Sequence, residues 1–308
     1  MPSIYVERSL ELAVSADKAF SVLSDFHQWR SWSPWLITEP EAQMHIAADA
    51  LSYSWQGKRV GQGSMHIEQS NAPNSLRCQL NFIKPWKSIA DVAFDVQPLN
   101  DKTCKVTWSM QSQLPFFMFW MKKPMQTYIG MDYERGLLML KDYLELGRVE
   151  STLEFDGEAE FPSCAYIGIK TQCSCVDVGP SMQRDFNNLE ILLKGNEAVG
   201  IGKGLSIYHL YDAVQDKVSY TAAFQVEHLP ESVGGQFITG HIPKLRVYKI
   251  AHIGPYRHLG NAWSAMVALA RAKLIRCGKQ QHPFEIYENK PADVDESELR
   301  TSLCFPLK

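Results

Sequence analysis

The sequence lacks any run of lysine and arginine and has no excess of basic residues. Its 308 residues include 31 Lys and Arg against 34 Asp and Glu, which gives a formal net charge of −3 at pH 7. Nucleic-acid-binding domains usually carry a clustered basic face. We therefore expect no direct contact with nucleic acid.

Long hydrophobic runs are also missing. The longest aromatic-rich apolar stretch, LPFFMFWM at residues 114–121, is far shorter than the roughly 20 residues that a membrane-spanning helix needs. Charged residues interrupt the first residues of the chain before an apolar signal core could form. We expect no stable membrane insertion and a cytoplasmic location.

The cysteines and glycine-rich stretches do not form the motifs of metal or phosphate sites. The seven cysteines are scattered, and Cys173 and Cys175 form a C-x-C pair without the second pair that would complete a metal site. GIGKG lacks the spacing of a phosphate-binding loop, and Leu205 follows Gly204 where that loop needs Ser or Thr. No H-E-x-x-H or G-x-S-x-G motif occurs. We expect neither a metal nor a cofactor, and the odd cysteine count fits a reducing compartment.

Composition changes near the middle of the chain. The hydrophobic content of 45% is enough for real cores, and the length fits two domains. Seven of the eight tryptophans lie before residue 149, and the eighth is Trp263. The change falls near residues 144–150. We therefore predict two domains, residues 1–148 and residues 149–308.

The first half reads as a strand and short helices, then an antiparallel meander and one long helix. Apolar residues of that helix recur at steps of three and four before Gly147, the expected helix end, and they are Met125, Ile129, Tyr133, Leu137, Leu140 and Leu144. A sheet that wraps such a helix leaves an apolar space between the two. The predicted fold class is α+β.

The stretch LELAVSADKAFSVLSDFHQWRSWSPW, residues 10–35, resembles the opening of the START-like, polyketide-cyclase-type superfamily. The stretches GKRVGQGSMHIEQS, LNFIKPWKSIADVAFDV, CKVTWSM and IGMDYERGLLMLKDYLE follow in that superfamily's usual order. The resemblance covers about residues 3–147, and it implies a helix-grip fold with a hydrophobic tunnel. It implies no particular activity, since fold does not fix function.

Two aromatic stretches of this half have open roles. HQWRSWSPW, residues 27–35, places three tryptophans at three-residue spacing, and they either pack or contact a ligand. LPFFMFWMKKPM, residues 114–125, forms either an apolar lid at the mouth of the tunnel or a sticky surface patch. Its two lysines are candidate contacts for anionic lipid.

The second half contains an internal repeat of about eighty residues. AYIGIKTQCSCVDVGPSM resembles VYKIAHIGPYRHLGNAW, and LSIYHLYDAVQDKVSYTAAFQV resembles FEIYENKPADVDESELRTSLCFPL. Each unit reads strand, helix, strand, strand, so this half should be a pseudo-symmetric pair of such modules. The first helix should end at Gly195, and the apolar stripe of the second should extend to Leu274.

This half resembles the gyrase-inhibitory-protein-like family, the effector-binding domain of multidrug-sensing bacterial transcription activators. FEIYENKPADVDESELRTSLCFPL and HIGPY, residues 252–256, carry the match, which covers about residues 149–308. The family implies two pseudo-symmetric modules, a ligand cleft between them and one glutamate in that cleft, here Glu285. Ser206 stands at the equivalent place in the first repeat, so only one carboxylate would project into the cleft.

Residue alternation in this strand suggests which side chains accompany the glutamate. Glu285 and Tyr287 share one strand face, and Phe284 and Ile286 share the other. If Phe284 and Ile286 pack on the helices, Glu285 and Tyr287 face the cleft. Aromatic rings around a carboxylate suit a lipophilic organic cation, because each ring adds cation–π attraction of roughly 0.5–2 kcal/mol. The further candidate ligand contacts are Tyr208, Tyr166, Tyr248, His252 and Trp263. The alternative is a hydrogen-bonded structural role for His252 and plain packing for the others.

Together these patterns favour a cytosolic small-molecule-binding protein. A lipophilic or cationic organic ligand would occupy the C-terminal cleft, and an apolar ligand would occupy the N-terminal tunnel. Two alternatives stay open. One is a small-molecule hydrolase with Glu285 as general base, since burial should raise the pKa of that carboxyl group. The other is a protein-interaction or inhibitor module with an unknown protein partner.

Overall fold

A computed structural model describes residues 3–194, 200–230 and 233–308. The chain divides into two compact units, Met1–Glu150 and Ser151–Lys308. No helix in the described ranges is long and apolar enough to cross a membrane. Each unit places helices against an antiparallel sheet, which confirms the predicted α+β class.

The described part of the first unit forms one antiparallel sheet with three α-helices. The strand order is β1-β7-β6-β5-β4-β3-β2, so the first strand lies beside the last. The strands are β1 (Ser3–Leu12), β2 (Gln43–Ile46), β3 (Ser52–Gln56), β4 (Gln62–Asn71), β5 (Ser75–Lys84), β6 (Ser88–Asn100) and β7 (Thr103–Gln113). The helices are α1 (Ala16–Leu23), α2 (Phe26–Trp32) and α3 (Lys122–Leu146).

The long helix α3 packs on the sheet through one apolar stripe. Tyr133, Leu137 and Leu140 of this stripe are buried in the same core as Trp108 of β7. Gly136 makes room for that indole, because a Cβ at this position would lie 2.7 Å from the Trp108 ring. The helix ends at Gly147, whose φ of 78° lies in the left-handed region that favours glycine. The predicted end of the helix is thereby confirmed.

The described part of the second unit forms an eight-stranded antiparallel sheet with the order β12-β9-β11-β10-β14-β15-β13-β8. Its helices are α4 (Val178–Lys194) and α5 (Gly260–Arg271). Its strands are β8 (Thr152–Phe161), β9 (Cys164–Cys173), β10 (Ile201–Asp212), β11 (Lys217–Val226), β12 (Phe237–Ile242), β13 (Leu245–Ile253), β14 (Phe284–Tyr287) and β15 (Arg300–Pro306).

The two predicted modules are β9-α4-β10-β11 and β13-α5-β14-β15, and they meet where β10 pairs with β14. Strands β8 and β12 were not predicted, and each pairs with the first strand of one module. The prediction for Leu274 was wrong, because α5 ends at Arg271 and Leu274 is 49% exposed. Gly195, the expected end of α4, lies outside the described residues.

The two faces of this sheet carry different neighbours. On one face, α4 packs through Leu189 and Leu193, and α5 packs through Met266. On the other face, an apolar cluster contains Leu205 and Phe284 but no residue of α4 or α5. Alternating residues of the central strands β10 and β14 therefore face either the helices or this second cluster.

Candidate functional site

Glu285 lies in the short central strand β14 and is completely buried, with 0% of its surface exposed. Three side chains donate hydrogen bonds to its carboxylate. The Trp263 indole Nε1–H contacts Oε1 at 2.6 Å. The hydroxyls of Tyr287 and Tyr208 contact Oε2 at 2.9 Å and 3.2 Å. Glu285 forms no ion pair with any lysine or arginine in the described ranges, so it is a buried acid without a counter-ion.

The fold explains how these four residues meet. Tyr287 follows Glu285 by two residues on β14 and therefore lies on the same face. Tyr208 lies on the neighbouring strand β10, which pairs with β14 around Glu285. Trp263 comes from the first turn of α5 and reaches the sheet from the helix side. Sheet and helix thus supply different donors to one carboxylate.

Burial controls the protonation of this cluster. Removal from water raises the pKa of the Glu285 carboxyl group, and the hydrogen bonds from Trp263, Tyr287 and Tyr208 partly oppose that rise. The same burial, with the carboxylate close by, raises the pKa of Tyr208 and Tyr287 well above that of a free tyrosine. The tyrosines therefore stay protonated as donors, and Glu285 is the group of this cluster that can change charge.

Aromatic rings surround the carboxylate and connect it to the surface. The Tyr208 and Trp263 rings meet edge to face at 4.7 Å between centroids. The Tyr287 ring contacts Phe186 at 5.4 Å and Tyr256 at 5.6 Å, also edge to face. Trp263, Tyr208 and Tyr287 are each partly exposed, whereas Glu285 is not. The rings of Trp263, Tyr208 and Tyr287 thus cover one buried acid.

Sequence reasoning missed Met182, Phe186 and Tyr256 as members of this site. The Met182 sulfur lies 3.8 Å from both the Ser206 and the Tyr287 hydroxyl oxygen. Met182 and Phe186 belong to the apolar stripe of α4, so their pattern signals only packing. Tyr256 ends the HIGPY stretch and is 39% exposed. Its place in HIGPY, the stretch that carries part of the family resemblance, was the signal available for it.

The expected packing of Phe284 and Ile286 was wrong. Both belong to the apolar cluster with Phe161, Leu205 and Ile207, on the sheet face that carries no helix. The polar pair of β14 faces α4 and α5 instead. The physical reason is that Trp263 of α5 donates a hydrogen bond to the buried Glu285 carboxylate, whereas the apolar Phe284 and Ile286 pack in the apolar cluster of the opposite face.

The other three candidate residues do not bind the Glu285 carboxylate. Tyr166 packs against the cluster on the opposite sheet face, and its ring lies over Gly240. Tyr248 packs with Ile250 and its cluster beside α5. His252 is buried, and its Nε2 lies 3.0 Å from the Ser151 hydroxyl oxygen. Burial and the nearby His258 lower the pKa of His252 to about 4.

The interior of the first unit is rich in aromatic contacts. Trp108 and Tyr133 stack at 4.1 Å between β7 and α3, so rings fill the interior at this point. In the predicted three-tryptophan stretch, the Trp29 indole donates to the Leu23 carbonyl at 2.9 Å and the Trp35 indole to Asp132 at 3.1 Å. The Trp32 indole N–H is buried and finds no acceptor among the described residues.

A pocket of about 260 Å³ opens at the β2–β4 side of the same sheet. Its lining includes His45, His66, three serines, Met65 and Tyr53. This mixed lining differs from the apolar tunnel that the family resemblance implies. Across the described ranges, no group of three or more His, Cys, Asp or Glu side chains could hold a metal ion.

Each half of the chain matches a protein-family model. Residues 160–308 match the family model described as "GyrI-like small molecule binding domain". Residues 3–145 match the model described as "Polyketide cyclase / dehydrase and lipid transport". Both resemblances found in the sequence are thereby confirmed. A comparison with curated proteins found no match.

Comparison with solved structures found distant likenesses to both halves. The EcmrR–DNA complex is 16% identical with a TM-score of 0.45, over 63% of this chain and 72% of that one. A START superfamily protein from Mycobacterium smegmatis is 16% identical with a TM-score of 0.34, over 46% and 97%. SAV2435 bound to tetraphenylphosphonium is 17% identical with a TM-score of 0.37, over 50% and 94%. Likenesses this distant say nothing about the site.

Proposed function

We propose that this chain, a START-like domain joined to a GyrI-like small-molecule-binding domain, binds lipophilic organic cations through its C-terminal unit. One observation carries the proposal. Glu285 is a fully buried acid with no cationic partner among the described residues, and the groups around it are aromatic rings and hydroxyl or indole donors. A cation that enters the site supplies the missing counter-ion.

The physical chemistry favours a bulky, weakly hydrated cation over a small inorganic one. A buried carboxylate is costly unless it is neutralised. The faces of Trp263, Tyr208 and Tyr287 attract a delocalised positive charge by cation–π interaction, worth roughly 0.5–2 kcal/mol per ring. Hydroxyl and indole donors hold the carboxylate in place while the rings accommodate the apolar groups of the ligand. The site thus suits a lipophilic cation of variable shape.

Calorimetric titration with tetraphenylphosphonium tests the proposal. The full chain should bind this ion, and Glu285→Gln should weaken binding by roughly tenfold to a hundredfold, because it removes the charge and keeps the shape. The matched control is Glu288→Gln. Glu288 lies just beyond Glu285 in sequence and pairs with Lys203, so its loss removes the same charge away from the site. Equal affinity of wild type and Glu285→Gln would refute the proposal.

A second function, hydrolysis with Glu285 as general base, is favoured by the raised pKa of this carboxyl group. A base with a pKa nearer neutrality can take a proton from water more effectively. Turnover of electrophilic esters by the full chain, lost in Glu285→Gln and retained in Glu288→Gln, would support it. If the full chain binds tetraphenylphosphonium but turns over no ester, only the binding function is supported.

For the first unit we propose an apolar ligand that carries a hydrogen-bond acceptor. The support is the buried Trp32 indole N–H, which has no acceptor among the described residues, since buried donors are normally satisfied by protein, water or ligand. Two apolar compounds that differ only in the presence of a carbonyl group should differ in affinity for the wild type, and the carbonyl compound should bind more tightly. That difference should vanish in Trp32→Phe, and an unchanged difference would count against this site.

The remaining expectations stay predictions. They are a cytoplasmic location, the absence of direct contact with nucleic acid, and the division of the chain into functional domains at residues 148 and 149. The interaction-module alternative predicts a protein partner that occludes the Glu285 site. A partner that competes with tetraphenylphosphonium in the same titration would favour that alternative.

A further inference from the structure

A short segment of the first unit exposes four large aromatic side chains to water. Phe116, Phe117, Phe119 and Trp120 are 78%, 75%, 64% and 65% exposed. They lie in the 3-10 helix Phe116–Met121 between β7 and α3, which we call the aromatic helix. None of the residues in this helix is buried. These rings add nothing to the core of the unit. Exposed apolar groups on this scale mark a contact surface.

The hairpin between β5 and β6 adds a second exposed apolar group. Ile83, Trp86 and Ile89 are 45%, 51% and 60% exposed. The hairpin lies beside the aromatic helix, because β6 pairs with β7 and the Ser112 hydroxyl donates to the Ile89 carbonyl at 2.7 Å. The aromatic helix begins soon after Ser112. We call these seven apolar residues, together with Lys84, Lys87, Lys122 and Lys123, the aromatic tip.

The charges of the aromatic tip have one sign. Lys84 and Lys87 lie in the hairpin, and Lys122 and Lys123 directly follow the aromatic helix; all four are exposed. Residues 82–90 and 114–131 contain no Asp or Glu. The tip is therefore positive within a chain whose net charge is −3. A binding surface for this tip should be apolar in part and negatively charged.

We propose that the aromatic tip docks the N-terminal unit on the surface of an anionic lipid bilayer. The proposal goes beyond the binding of small molecules in either unit. Tryptophan and phenylalanine rings settle at the boundary between headgroups and acyl chains. Neighbouring lysines stay in the headgroup layer and attract anionic lipids. Apolar residues alternate with lysines in the hairpin, and two lysines follow the rings of the aromatic helix, so each segment of the tip offers rings or aliphatic groups beside positive charge.

The charge pattern argues against a second copy of this chain as the occupant. A symmetric dimer joins the same patch from both copies. Such an interface would bring the four lysines of one tip against the same four lysines of the other, without an acid in either segment to neutralise them. An anionic membrane surface supplies that neutralisation and the apolar layer together.

Sedimentation of the full chain with lipid vesicles tests the proposal. The protein should bind vesicles of equal phosphatidylcholine and phosphatidylglycerol, bind pure phosphatidylcholine much more weakly, and lose affinity as salt is added. Phe117→Ser/Trp120→Ser should weaken binding about tenfold or more, because it removes the inserted rings. Lys122→Gln/Lys123→Gln should weaken binding by roughly tenfold and flatten the salt dependence.

The control is Val176→Ser/Ile191→Ser, which removes two residues of the second unit that are 82% and 72% exposed. This variant should sediment with vesicles as the wild type does. No binding to anionic vesicles, or equal loss in the control, would overturn the proposal. Self-association of the wild type in solution, abolished by Phe117→Ser/Trp120→Ser and without vesicle binding, would assign the tip to a second copy instead.

Discussion

Ser206 lies directly opposite Glu285 in the antiparallel pair of β10 and β14. The two residues occupy equivalent places in the two modules, yet only one is an acid. The Ser206 hydroxyl lies 3.0 Å from the Tyr287 hydroxyl, which in turn donates to Glu285. The serine therefore extends the hydrogen-bond network of the carboxylate without adding charge. One acid therefore lies at the centre of a pseudo-symmetric sheet.

This pairing predicts that Ser206→Glu destabilises the second unit by about 3–5 kcal/mol. Directly paired side chains in a sheet lie close enough for two like charges to repel, and a second buried carboxylate would have no cation either. Urea unfolding followed by circular dichroism measures the loss. Ser206→Ala is the control and should cost about 1 kcal/mol, the typical value of one hydrogen bond. Similar losses in both variants would contradict the charge argument.

A second prediction concerns the pH dependence of tetraphenylphosphonium binding. The ion has no titratable group, and it needs the ionised form of Glu285. Because burial raises the pKa of this carboxyl group, the empty site holds a proton at pH values where a free glutamate is ionised. Affinity should therefore increase by up to about tenfold per pH unit as the pH rises toward this raised pKa. Above the raised pKa the affinity should be constant.

Calorimetry at a series of pH values measures this profile. Binding below the plateau should also release a proton, which buffers of different ionisation enthalpy reveal. Glu285→Gln should bind weakly with no such pH dependence. An equally steep profile in Glu285→Gln would assign the titration to another group.

The third prediction separates the tyrosine hydroxyl from its ring. Tyr208→Phe removes one donor to the Glu285 carboxylate and keeps the aromatic wall. Because that hydrogen bond opposes the rise in the pKa of Glu285, its loss should move the affinity profile to higher pH. The plateau affinity should fall only a few-fold. A loss of affinity without a shift along the pH axis would show that the hydroxyl contacts the ligand instead.

Tyr220→Phe is the control for this experiment. Tyr220 lies in the same sheet, and its hydroxyl donates to a different buried acid, Asp185, at 2.7 Å. Its loss should change stability but leave the pH midpoint of binding where it is in the wild type. A shift of equal size in both variants would indicate a general effect of the sheet.

The sequence predicted the part of the site that depends on alternation along the chain. Glu285 and Tyr287 share a strand face, and the repeat placed Tyr208 beside them; both follow from a period of two. It could not predict which face the helices cover, because strand periodicity is the same for either face. The wrong packing of Phe284 and Ile286 arose from this ambiguity.

The residues that contact Tyr287 from α4 required tertiary information. Met182 and Phe186 each fit an apolar helix stripe, and such a stripe does not distinguish core from site. Trp263 fits such a stripe as well, so the sequence offered it as a candidate with packing as the alternative. Strands β8 and β12 were missed for a related reason. They pair at the outer edges of the sheet and expose much of one face, so their hydrophobic pattern is weak.

A last prediction concerns Glu39, a buried acid of the first unit. Its carboxylate accepts backbone N–H groups from Lys58, Arg59 and Val60 at 2.7, 2.8 and 2.8 Å, and it thereby fixes the turn between β3 and β4. Glu39→Gln replaces one acceptor oxygen by an NH2 group that faces a donor, so it should cost about 2–3 kcal/mol.

Tryptophan fluorescence during urea unfolding follows this unit, which holds seven of the eight tryptophans. Glu68→Gln, on the exposed part of β4, should cost less than about 0.5 kcal/mol. Equal costs would mean that the turn keeps its shape without the Glu39 charge.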